Sequence, residues 1–182
     1  MEEVELLFRI NEDIARKVRN GLKDLLISKN REVDVYFYPP HRDFIVSDDG
    51  RENLRVRQSG VKKEFTYKKV IYNKGIYSHS IEKNVDVSNS EDLIDILENI
   101  GFRKYITIEK KREIFRDKNF IITIDNVKNL GLFIEIEWAG SDGDENDIQK
   151  LCFKRAQEFG LKTIQNKGYL RLLEEQNNKR SP

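Results

Sequence analysis

The chain has 182 residues, enough for a domain with a buried core, and 36% of them are charged. Its 33 basic and 32 acidic side chains nearly cancel, to a formal charge of +1. That balance excludes the broad basic excess of a general DNA-binding surface, but it leaves room for a local basic site that holds a small anion.

A lone cysteine, Cys152, rules out an intrachain disulfide, and no apolar run approaches membrane-spanning length. With no secretory leader pattern at the start, the expectation is a soluble protein in a reducing cytoplasm.

In chain order, Val4, Leu6, Phe8 and Ile10 alternate with Glu3, Glu5, Leu7 and Arg9, which predicts a strand with one apolar and one charged face. Asn11-Glu12-Asp13 is a helix start, a capping side chain followed by acids in the first turn. Ile14, Val18, Leu22, Leu25 and Leu26 then recur at helical spacing to about Ser28. A strand over 32–38 stops at Pro39-Pro40, and a loop runs through His41-Arg42-Asp43-Phe44 to Asp48-Asp49-Gly50.

Strands over 53–58 and 62–70 form a hairpin around Ser59-Gly60, and another strand covers 77–87. Ser88-Asn89-Ser90-Glu91 resembles a capping box for a helix carrying Leu93, Ile94, Leu97 and Ile100, closed by Gly101. A second hairpin, 103–116 and 119–127, turns at Asp117-Lys118, and Gly131 leads into a strand over 132–138. Ile148, Leu151, Cys152, Ala156 and Phe159 mark a third helix, which ends at Gly160. A short helix over 169–176 precedes a polar, frayed tail at 177–182. The expectation is an α+β fold of about eight strands, mostly hairpin-connected and therefore antiparallel, with three or four helices. It forms one domain over 1–176.

The strand faces organise the charges. Opposite the apolar rows stand Glu3, Glu5, Arg9, Arg55, Arg57, Lys68, Glu82, Asp125, Glu135 and Glu137. Over 103–116 the rule blurs, because Lys110 and Arg112 share a face with Ile106, Ile108 and Ile114. Eight strands suffice to close a barrel. Its polar face would then line the interior, and its apolar face would meet helices outside.

Unpaired charges resist burial, so a charged interior implies a wet tunnel that holds a charged ligand. The alternative is a sheet face open to solvent, and alternation by itself decides neither. The chemistry suits a metal-bound polyphosphate. Carboxylates at alternate strand positions supply hard oxygens for Mg2+ or Mn2+. Arginines bind phosphate oxygens in pairs, and lysine adds a compact charge.

An ordered set of short motifs carries a resemblance over nearly the whole chain. It comprises Glu3-Val4-Glu5, Leu54-Arg55-Val56-Arg57, Thr66-Tyr67-Lys68, Ile81-Glu82 and Lys110-Lys111-Arg112. Ile124-Asp125-Asn126-Val127 follows, running through Leu130-Gly131 to Phe133-Ile134-Glu135-Ile136-Glu137. Together they resemble the CYTH superfamily of triphosphate tunnel enzymes: class IV adenylyl cyclases, thiamine triphosphatases and inorganic tripolyphosphatases. Asp34-Val35-Tyr36-Phe37, followed by Pro40-His41-Arg42-Asp43-Phe44, is most similar to the class IV cyclase branch.

The resemblance implies an eight-stranded antiparallel closed barrel, a tunnel with a charged interior and helices packed outside. Arg55, Arg57, Lys68, Lys110 and Arg112, with Arg9, would hold the triphosphate. Glu3, Glu5, Asp125, Glu135, Glu137 and Glu82 would hold one or two Mg2+ or Mn2+ ions. Lys68, Glu5 and Glu135 would be the catalytic residues. The expected partner is a small triphosphate (ATP, tripolyphosphate or thiamine triphosphate), with neither DNA nor a membrane, and a homodimer is left open.

Three positions depart from the family pattern. Leu7 stands where Glu-x-Glu-x-Lys has its lysine, unless Arg9 substitutes on the same face, and Ser78 and Ser80 stand where further inward charge is usual. A decayed enzyme that only binds nucleotide or polyphosphate is therefore a competing reading. His41, Cys152 and Trp138 are expected to be structural.

Overall fold

The computed structural model describes residues 2–44, 50–73, 76–140 and 143–179. The expected turn residues Asp48, Asp49 and Gly75, the Glu3 side chain and the end of the polar tail lie outside the described residues. Among the described residues the strands are β1 (Glu2–Glu3), β2 (Glu5–Arg9), β3 (Leu26–Tyr38), β4 (Gly50–Ser59), β5 (Lys62–Asn73), β6 (Ile76–Asp86), β7 (Arg103–Asp117), β8 (Phe120–Val127) and β9 (Gly131–Trp138). The helices are α1 (Glu12–Gly21), α2 (Ser90–Asn99), α3 (Glu145–Glu158) and α4 (Tyr169–Asn178), with a 3-10 turn at Lys23–Leu25. β1 and β2 are the two parts of the first expected strand, separated by Val4. The strand order is β1-β6-β5-β4-β3-β7-β8-β9-β2.

The chain divides into two compact units, Met1–Glu3 with Arg31–Glu109 and Val4–Asn30 with Lys110–Pro182. In the first unit β1–β6, β3–β4, β4–β5 and β5–β6 pair antiparallel. In the second, β7–β8, β8–β9 and β9–β2 do the same.

Each unit buries the apolar rows read from the sequence. In the first, Phe37, Leu54 and Val56 pack with Leu97 of α2 and with Phe44. In the second, Leu6, Phe8, Ile122, Ile124, Ile134 and Ile136 pack with Ala15 and Val18 of α1 and with Cys152 and Ala156 of α3. Cys152 is a core residue, and burial pushes its thiol up to about 12, far from a reactive thiolate. Fully buried rings such as Phe8 and Phe133 contribute most per residue; truncating either to alanine costs about 3–5 kcal/mol.

Capping matches the sequence at α1, while at α2 Asn89 rather than Ser88 of the expected capping box is the cap. Asn11 accepts from the Ile14 N–H, and Asn89 accepts from the N–H groups of Glu91 and Asp92. Two boundaries differ. The first helix ends at Gly21 rather than near Ser28, and β3 begins at Leu26. Leu25 and Leu26 leave the helical stripe and are exposed, because the strand lengthens at the expense of the helix. Ile100 and Leu151, expected on apolar helix faces, are also exposed. No helix among the described residues is long and apolar enough to cross a membrane.

Candidate active site

In the first unit, register sets the polar face. Tyr36, Arg55, Thr66 and Asn84 form one cross-strand row, Asp34, Arg57, Glu64 and Asp86 the next, and Asn53, Lys68 and Glu82 a third. Arg57 binds Asp34 through two parallel bonds, Nε to Oδ1 at 2.6 Å and Nη2 to Oδ2 at 2.7 Å. Its Nε also lies 3.7 Å from Glu32, whose Oε1 accepts from the Ser59 hydroxyl.

Glu82 is shared. Arg55 Nη2 donates to one of its oxygens at 3.2 Å, and Lys68 Nζ stands 3.2 Å from the other. Burial pushes the Glu82 carboxyl up, but the charges of Lys68 and Arg55 outweigh this and hold it at about 2. Thr66 donates to Asn84 at 2.7 Å beside this group. Among the described residues, the buried polar atoms Arg55 Nε and Ser80 Oγ of this unit make no hydrogen bond within the protein.

In the second unit the rows are Arg9, Phe133, Asp125 and Arg112; then Leu7, Glu135, Thr123 and Ile114; then Glu5, Glu137, Ile121 and Arg116. Arg112 bridges two acids, with Nε on Asp125 at 2.8 Å and Nη2 on Glu135 at 2.5 Å. Lys110 Nζ lies 3.7 Å from the same Asp125, and its side chain is buried. From the start of α4, the Tyr169 hydroxyl donates to Asp125 at 2.9 Å. Burial pushes the Asp125 carboxyl up, yet Arg112 and Lys110, with hydrogen bonds from Arg112 and Tyr169, hold it at about 2. Burial, with Glu135 and Asp125 nearby, raises the Tyr169 hydroxyl well above its ordinary range, so it stays a donor.

The sequence-predicted residues fall into these two groups. Arg55, Arg57, Lys68 and Glu82 share the polar face of the first unit. Glu5, Arg9, Lys110, Arg112, Asp125, Glu135 and Glu137 share that of the second. On β7, Lys110 and Arg112 both turn to Asp125.

Arg9 behaves differently from the others. Its guanidinium lies over the Phe133 ring, 4.6 Å from the centroid, and Nη1 donates to the Leu130 carbonyl at 2.6 Å. Sequence reasoning missed Glu32, Asp34, Thr66, Asn84 and Tyr169. Glu32 and Asp34 stand opposite Val33, Val35 and Phe37 on β3, an alternation visible in the sequence. Tyr169 reaches Asp125 across 44 positions, and no local pattern announces that.

The Pro40–Phe44 loop serves the core. Phe44 is buried, and Arg42 pairs with Glu52, which also accepts from the Tyr67 hydroxyl. The guanidinium of Arg42 lies 4.9 Å from the Phe44 centroid, and His41 is exposed.

The acids differ in their fitness for a hard cation. Glu5 and Glu137 are direct cross-strand partners, which brings their Cβ atoms to roughly 4.5–5.5 Å. This pair, with Glu135 next along the face, supplies hard oxygens of the kind that Mg2+ or Mn2+ takes. Asp125 and Glu82 fit poorly, because both oxygens of each face guanidinium, ammonium or phenol donors, whereas the contacts of Glu135 with Arg112 and Thr123 fall on Oε2. Among the described residues no three acid, histidine or cysteine side chains are gathered as a metal cage. Such a site would be completed by phosphate oxygens and water, as Mg2+ sites often are.

With this geometry in view, the known proteins are informative. The CYTH domain family matches residues 1–169. The chain belongs to that family. A Methanocaldococcus jannaschii protein named "putative adenylate cyclase" is 33% identical over 178 residues, covering 94% of this chain and 98% of the relative.

Among solved structures, one Pyrococcus horikoshii protein is 29% identical with a TM-score of 0.78, covering 96% of this chain and 99% of that one. A second P. horikoshii protein is 25% identical with a TM-score of 0.79, covering 93% and 98%. The family match ends at Tyr169, the first residue of α4.

Proposed function

We propose that this CYTH protein is a divalent-metal-dependent enzyme acting on a triphosphate, and that its reaction is the class IV adenylyl cyclase conversion of ATP to cyclic AMP and pyrophosphate. The observation that carries this reading is the Arg112 cluster. A guanidinium, a buried ammonium and several carboxylates share one sheet face, beside the directly opposed pair Glu5 and Glu137. The relative named "putative adenylate cyclase" supports the choice of reaction.

Phosphoryl and nucleotidyl transfer need positioning and charge stabilisation above all. Arg55, Arg57 and Lys68 in the first unit, and Lys110 and Arg112 in the second, are the proposed phosphate-binding residues. Lys68, Glu5 and Glu135 are proposed to act at the reacting phosphorus. In the cyclase, the ribose 3′-hydroxyl bonds to the α-phosphorus while its bond to the pyrophosphate oxygen breaks, and the hydroxyl proton leaves to base or solvent. Bound Mg2+ or Mn2+ would neutralise phosphate charge. On this chain the proposed ligands are Glu5, Glu137 and Glu135, while Asp125 and Glu82 act as counter-ions that orient the cations.

A single domain over 1–176 and closure of the sheet into a tunnel belong to the same proposal. In support, β1 and β2 stand at the two ends of the strand order with only Val4 between them. A cytoplasmic location goes with an ATP substrate.

A second reading, hydrolysis of tripolyphosphate or thiamine triphosphate, is favoured by the Pro40–Phe44 loop. Phe44 of this cyclase-like segment is used in the core, and Arg42 is held by Glu52. The binder reading rests on Leu7, Ser78 and Ser80.

Incubation of the pure protein with Mg2+ or Mn2+ and, in parallel, ATP, tripolyphosphate and thiamine triphosphate separates the three. Cyclic AMP with pyrophosphate is the expected result. Orthophosphate release selects the hydrolase, and saturable binding without turnover sinks both enzymes. Glu135→Ala is expected to abolish most metal-dependent turnover while costing about 1 kcal/mol of stability, because Arg112 keeps Asp125. An unchanged metal requirement in that variant removes Glu135 from the site.

A further inference from the structure

In the first unit the apolar face of the sheet is only partly covered. Val35, Val56, Phe65 and Val85 form one cross-strand row over β3, β4, β5 and β6. Leu93, Ile94 and Leu97 of α2 share a cluster with Val35, Val56 and Phe65. Among the described residues the cover stops there: Val56 is 2% exposed, but Val85, at the β6 end of the row, is 61% exposed. Lys83, opposite Tyr67, and Lys69, opposite Ile81, are exposed on the same face. Glu52, across from Lys69 on β4, is taken up by Arg42. This margin of the sheet face is therefore apolar and basic.

Helix α2 carries the opposite charge. It holds Glu91, Asp92, Asp95 and Glu98 and no base. Glu98 is neutralised by Lys104 at 2.8 Å. Helical spacing puts Asp92, Ile96 and Ile100 in one stripe, with Asp95 and Asn99 beside it. All five are exposed, the isoleucines at 55% and 61%.

The two surfaces match in length and in chemistry. Asp92 to Ile100 on the helix and Ile81 to Val85 on the strand each span roughly 12–14 Å. Single exposed apolar side chains are ordinary on any surface. Here they stand on two elements of opposite charge, which makes the surfaces complementary to each other. In its own chain α2 is already seated over β3, β4 and β5, so its outer stripe is presented to another molecule.

We infer that the chain forms a two-fold symmetric dimer in which α2 of each copy docks on the uncovered β5–β6 face of the other. The symmetry uses the contact twice: Asp92 and Asp95 meet Lys83 and Lys69 of the partner subunit, and Ile96 and Ile100 cover Val85 of the partner subunit. Lys83 and Val85 point away from the polar face that carries Lys68 and Glu82, so this inference stands apart from the triphosphate reading.

Sedimentation equilibrium of wild type, Lys83→Glu, Asp95→Lys and an equimolar mixture of the two variants tests it. Wild type is expected to dimerise. Each variant alone sets like charges against each other at both contacts, and its dissociation constant should rise by about tenfold or more. In the mixture a heterodimer pairs Asp95 with Lys83 at one contact and the two substituted charges at the other, so most of the wild-type association should return. A monomeric wild type overturns the inference and leaves the face to a different partner. A dimer indifferent to both substitutions, or one that the mixture does not restore, uses another surface and overturns it as well. Both positions are exposed, so neither substitution enters the core, and unchanged circular dichroism and melting separate a lost contact from misfolding.

Discussion

The two units pair their acids and cations differently. In the first, Arg57 has its own carboxylate in Asp34, and Arg55 and Lys68 divide Glu82 between them. In the second, Arg112 and Lys110 face Asp125 and Glu135, and the same face also carries the directly opposed Glu5 and Glu137. A phosphate entering the first group therefore competes with a carboxylate already in place. Each polar face also carries one directly opposed acid pair, Glu64 and Asp86 in the first unit and Glu5 and Glu137 in the second. The units differ in how cations share acids, one carboxylate divided between two cations in the first and one arginine bridging two acids in the second, and that difference is open to experiment.

Acid should disturb both groups most. Glu82 and Asp125 are each held at about 2, below their ordinary values of 4.5 and 3.8. A depressed carboxyl contributes stability that is complete above its ordinary value and is lost as pH falls through its folded one. Stability should thus hold down to about pH 5 and decline toward pH 2, by on the order of 5 kcal/mol for the two groups together. Urea titrations across that range measure it, and a flat profile would contradict both charge clusters. Glu82→Gln should remove only the first unit's share.

Arg112→Ala comes next. It leaves Asp125 fully buried beside Lys110 and Tyr169 without its bidentate partner, at an expected cost of about 3–5 kcal/mol in chemical denaturation. If it costs no more than a surface mutation, the second cluster is not the clamp described above.

Glu82→Gln separates the two roles of acid in binding. As a counter-ion, its loss frees Arg55 and Lys68 and should tighten tripolyphosphate binding about threefold to tenfold with an unchanged Mg2+ requirement. As a metal ligand, its loss would raise the Mg2+ concentration needed.

Tyr169→Phe is the smallest change. It deletes one hydrogen bond to Asp125 for about 1 kcal/mol, and carboxyl NMR should show the Asp125 titration moving upward.

Period-two alternation reported much of this site. On β2, β4, β8 and β9 it separated apolar from charged faces well enough to name Glu5, Arg55, Arg57, Asp125 and Glu135. It was silent on register, and register decides which acid meets which cation. Asp34 was visible as a face residue on β3, but nothing local tied it to Arg57, 23 positions away. Capping residues fixed the helix starts, since a cap bonds within a few residues. The end of α1 was misjudged because Leu25 and Leu26 continue a helical spacing while the chain has already turned to strand.

Gly140 carries a practical consequence. A Cβ there would fall 2.4 Å from the Trp138 ring, so a bare backbone is what lets that indole lie where it does, edge-on to Phe120 at 5.3 Å. Trp138 is the only tryptophan in the chain and follows Glu137 directly. Excitation near 295 nm (approximately the red edge of indole absorption) therefore gives the second unit a built-in optical probe. Its side chain packs in the core on the face opposite Glu137, so its emission would report unfolding of that unit without any label, while the first unit stays dark.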